Sequence, residues 1–165
     1  MLLVLCVDLD DDLGRKTGFD TPVVGRDEVE AAAVALATAD PEDSDVNVMF
    51  EGVHLYDRIQ SDESVEVAIV TGNEGSDISA NRKVGEEVDT VLASINTSEE
   101  ITTVIVTDGA QDESVIPVIR SRIPVDASAA SSSDRHRIWS RCTTPSSRCW
   151  TTPKPAGRSS SRLAS

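Results

Sequence analysis

Three stretches of the chain, residues 2–7, 65–71 and 101–107, are nearly unbroken apolar runs rich in β-branched residues. Each is followed at once by Asp or Gly: Asp8, Gly72 and Asp108. Continuous rather than alternating runs of this length predict strands covered on both faces, as in a parallel sheet. A shorter run at 123–125 predicts a fourth strand whose pattern stops after Asp126.

Helical spacing fills the gaps. An Ala-rich segment at 26–39 opens after Gly25. The run Asp40-Pro41-Glu42-Asp43 reads as a capping Asp, proline at the first helical position and acids at the positive helix end. The helix after it carries Val46, Met49, Phe50, Val53 and Tyr56 on one side, with His54 as a partly buried packing residue. Residues 78–95 place Val84, Val88, Val91, Leu92 and Ile95 on one stripe. A short helix at 113–122 carries Val115, Ile116 and Ile119, with Asp112 and Glu113 at its start and Pro117 in its first turn. The alternation predicts an α/β domain over residues 1–126: an open parallel sheet of about four strands with helices on both faces, Rossmann-like.

Charge divides the chain at the same place. Residues 1–126 carry 28 acids and 8 bases, a balance of −20, whereas residues 127–165 carry 1 acid and 7 bases, +6. An acidic surface of that density suits high salt and repels phosphate backbones, so nucleic acid is excluded as a partner. Cys6, in an apolar run, reads as a small core residue, and Cys142 and Cys149 lack metal-ligand spacing, which implies a reducing compartment. The opening apolar run meets Asp8 too early for a signal peptide, and no run reaches membrane-spanning length, so this chain is expected to be cytoplasmic.

From Ala127 onward periodicity vanishes, and both Trp residues and 15 Ser or Thr accumulate. A disordered linker and a basic arm are two readings of this tail. Translation out of frame, from one nucleotide lost after the codon of Asp126, is a third. Shifting the frame lets the tail read with a strand-like VRRVVV and an amphipathic MYYTLKQVL. The tail is therefore expected to be non-native and disordered, including His136.

The segments VDLDDDLGRK at 7–16, PVVG at 22–25, ADPEDSDVN at 39–47, VTDGAQDE at 106–113 and SRIPVD at 121–126 together resemble one family. It is the archaeal domain-of-unknown-function family 373, whose members are expected to be multipass membrane proteins. The resemblance implies a cytosolic α/β domain followed by a membrane-spanning bundle, with no established activity, located at the cytoplasmic face of a membrane. It implies that this chain lacks the membrane part through the frameshift. Leu9 stands where the family pattern leads one to expect a basic residue, and the acidity suits a haloarchaeal source.

Parallel α/β sheets bind ligands beyond the carboxyl ends of their strands. Asp8, Asp10 and Asp108 lie at two such ends and are candidate ligands for Mg²⁺, a hard cation that takes carboxylate oxygens. Asp11, Asp12, Gly14, Arg15, Lys16, Gly72, Asn73 and Gly109 are candidate ligand-binding residues, with Arg15 and Lys16 placed to meet a phosphate. Halophilic surface and loop capping explain the same acids without a ligand. Asn73 and Asp77 fit turn and cap roles. No complete Walker motif or Ser–His or Cys–His arrangement is readable. Two functions remain: a ligand-binding or regulatory module that senses an ion, phosphate or nucleotide, and a Mg²⁺-dependent enzyme acting on a phosphorylated small molecule.

Overall fold

Every residue of the first strand, β1 (Leu2–Asp8), is buried, because it lies at the centre of the sheet. The computed structural model describes residues 1–109 and 114–130. After β1 come α1 (Asp12–Thr17), β2 (Val23–Val24), α2 (Arg26–Ala39), α3 (Ser44–Ile59) and β3 (Val65–Thr71). Then follow α4 (Asp77–Ser94), β4 (Thr102–Thr107), α5 (Ile116–Arg120) and β5 (Val125–Ala130).

The strand order is β2-β3-β1-β4-β5. β1 pairs in parallel with β3 on one side and with β4 on the other, and β5 continues in parallel beyond β4. Side chains of β1 alternate between two cores, as the strand period of two requires. Val4 and Cys6 join Val67 and Ile69 under Val29, Ala33 and Leu36 of α2 and Val48, Met49 and Val53 of α3. Leu3, Leu5 and Val7 join Ala68 and Val70 under Val84, Val88 and Val91 of α4 and Ile119 of α5. Helices thus cover both faces, which is the α/β sandwich that the apolar runs predict.

The sheet departs from an all-parallel one. Val23 and Val24 form an antiparallel edge against Ile69 and Ala68, so the sheet is mixed and has five strands. A two-residue strand carries too little pattern to be legible in a sequence. The last strand is not cut at Asp126 either: β5 runs to Ala130 and pairs with β4 along its length. The expected start of α3 is also one turn early. Asp43, not Asp40, is its cap, and the Asp43 side chain accepts the N–H of Asp45 at 2.9 Å.

The α3 stripe is buried at Val46, Val48, Met49 and Val53, but Phe50 is 41% exposed and His54 is exposed. Gly52 explains how α3 sits so close to β1, because a Cβ there would lie 2.2 Å from the Cys6 sulfur. Cys6 is fully buried, and burial pushes its thiol up to about 12, so it is inert packing. Pro117 sits in the first turn of α5. Asp112, Glu113, His136, Cys142, Cys149 and the tail after Ala130 lie outside the described residues.

Candidate functional site

From β1 the chain reaches β3 on one side and later β4 on the other, so a crevice opens where their carboxyl ends diverge. Cys6 pairs with Val106, and Asp8 and Asp108 each lie two residues further on. The first and third apolar runs therefore are neighbours, and their acidic ends share one mouth of the sheet.

Asp8 is 1% exposed and spends its carboxylate on the chain. Its two oxygens accept the N–H groups of Asp12 at 3.1 Å and Leu13 at 2.9 Å, at the start of α1. Burial pushes its pKa up to about 6, against the pull of those two bonds. The bend into α1 is made by Asp11, which is left-handed at φ 59°; Asp tolerates that region better than most residues. Asp10 is exposed at this bend. Asp108 accepts the Ser44 hydroxyl at 2.6 Å, which ties the end of β4 to the first residue of α3.

The acids that converge are a different set. Asp12, Asp43 and Asp45 can bring one oxygen each to within 4.8 Å of one another, the one such group among the described residues. Asp43 and Asp45 are buried, and Asp12 is partly so. A tethered cation already meets two of the three. The Lys16 ammonium donates to Asp43 at 2.7 Å, Asp40 at 2.8 Å and Asp12 at 3.0 Å. Those bonds, that to Asp40 first, hold the Lys16 ammonium protonated far above its ordinary range. Its bond to Asp40 in turn holds that carboxyl below the usual range. Arg15 lies on the other oxygen of Asp12 at 3.2 Å and on Glu74 at 3.4 Å. Both cations expected to meet a phosphate are thus engaged with acids.

The remaining expected residues have roles in the chain itself. Gly72 donates to the carbonyl of Asp8 at 2.8 Å, and a Cβ on it would lie 2.1 Å from the Leu9 carbonyl oxygen. Its smallness lets the two strand ends close up. Asn73 accepts the Gly75 N–H at 3.1 Å and the Ser79 hydroxyl at 2.8 Å, a turn before α4, whose cap is Ser76. A Cβ on Gly14 would lie 2.6 Å from the Asp11 carboxylate, so Gly14 makes room for that bend. A Cβ added on Gly109 would meet nothing within 4 Å among the described residues.

Sequence reasoning missed a second polar group on α4. Buried Glu87 accepts the N–H of Thr71 at 2.7 Å and the hydroxyl of Thr21 at 2.7 Å. Lys83 donates to the Thr71 hydroxyl at 2.9 Å and to Asp11 at 3.2 Å. A signal was present: Glu87 falls on the stripe of Val84, Val88 and Val91, and a carboxylate on an apolar stripe needs partners.

Comparison with known proteins gives the chain relatives but no activity. The model of a domain of unknown function, DUF373, matches residues 1–130. An uncharacterized protein of Archaeoglobus fulgidus is 45% identical over 126 residues, covering 76% of this chain and 36% of that relative. An uncharacterized protein of Methanocaldococcus jannaschii is 38% identical over 124 residues, covering 73% of this chain and 32% of that relative. The chain spans about a third of the length of both relatives. No solved structure matches it.

Proposed function

The chain belongs to the DUF373 family, which has archaeal members, and from that premise we propose that its domain is a divalent-cation-dependent ligand-binding module of a larger protein. Mg²⁺ enters at Asp12, Asp43 and Asp45 in exchange for the Lys16 ammonium. The observation that carries this reading is the convergence of those three carboxylates at the mouth between β1 and β4. Carboxylate oxygens are the ligands a hard cation takes. Displaced from its acids, Lys16 presents positive charge at the same mouth, where a phosphorylated ligand binds against it and the metal.

This assignment moves the metal from the expected trio. Asp8 serves the α1 backbone with both oxygens, and Asp10 and Asp108 stand outside the converging group. Asp108, through Ser44, supports the start of α3 that carries Asp43 and Asp45. The module reports its occupancy to the rest of the longer protein, which we place in the membrane. No helix among the described residues is long and apolar enough to cross one; the span is proposed for the longer protein alone. The mouth lies at a cytoplasmic face.

Calorimetric titration of the 165-residue chain with Mg²⁺ and Mn²⁺ tests the site. The expected result is one saturable event that Asp43→Asn abolishes and that raises the melting temperature. No binding, or binding that survives in Asp43→Asn, overturns it. The Mg²⁺-dependent enzyme rests on the same acids. Turnover of phosphate esters that stops in Asp43→Asn would make it the better account.

A further inference from the structure

We draw no further inference here: the strongest candidate, the outer edge of β5, which ends the sheet among the described residues, carries nothing, because nothing in the structure shows what covers it.

Discussion

Replacing Lys16 by Met separates a counter-ion from a mere staple. In the metal-free chain its ammonium joins Asp12 of α1 to Asp40 and Asp43 in the turn before α3. Removing it leaves the Asp43 carboxylate, with a side chain only 3% exposed, without that partner. Breaking a fully buried pair costs roughly 3–5 kcal/mol. The Lys16 side chain is 30% exposed, so water screens part of that interaction, and about 1.4 kcal/mol is the reasonable loss. The same free energy opposes the entry of Mg²⁺ while Lys16 holds the acids. Its removal should therefore tighten Mg²⁺ binding about tenfold, since 1.4 kcal/mol is one decade. Urea unfolding and Mg²⁺ calorimetry on Lys16→Met supply the two readouts, which move in opposite directions. Metal-free stability falls, Mg²⁺ affinity rises, and saturating Mg²⁺ restores the lost stability. Lower stability with unchanged or weaker Mg²⁺ binding would refute the exchange and leave Lys16 as a staple.

Three further outcomes are expected. Gly52→Ala should destabilise the chain by about 2 kcal/mol through overpacking, because its Cβ would meet the Cys6 sulfur at 2.2 Å; Cys6→Ala in the same chain should recover part of the loss, and urea melts giving the usual helical preference for Ala would contradict this. Asp8 has its pKa raised from 3.8 to about 6, so the fold takes up a proton between those values that the unfolded chain does not. Its stabilising contribution is complete below 3.8 and lost as pH rises through about 6; the stability of the parent chain relative to Asp8→Asn should thus grow by about 2 kcal/mol from pH 7.5 to 4, and parallel curves would exclude it. For the switch from −20 to +6 we propose the loss of one base after the codon of Asp126; sequencing the gene across codons 124–130 should show it, and an intact frame would remove that account of the tail.

The strands most deeply buried were the most legible. β1, β3 and β4 are continuous apolar runs because helices cover both their faces, and α2 and α4 carry clear helical patterns. What escaped is short or non-local. α1 buries only Leu13, β2 has two residues, and the four acids before α3 do not say which of them caps it. The two acidic strand ends were readable as ends, but that they share one mouth follows only from the pairing of β1 with β4. The converging trio was not, because Asp12 meets Asp43 and Asp45 only through the packing of α1 against the turn before α3. A Ser flanked by two acids, Asp43-Ser44-Asp45, was the local hint. Lys16 drew attention as a phosphate ligand, whereas in the fold it neutralises those acids.

Anomalous diffraction from a crystal of the chain grown with saturating Mn²⁺ tests the cation exchange most directly. The account predicts one anomalous peak within coordination distance of oxygens from Asp12, Asp43 and Asp45, with the Lys16 ammonium moved off Asp43. A crystal with Lys16 still bonded to Asp12, Asp40 and Asp43, and no peak between the carboxylates, would contradict it.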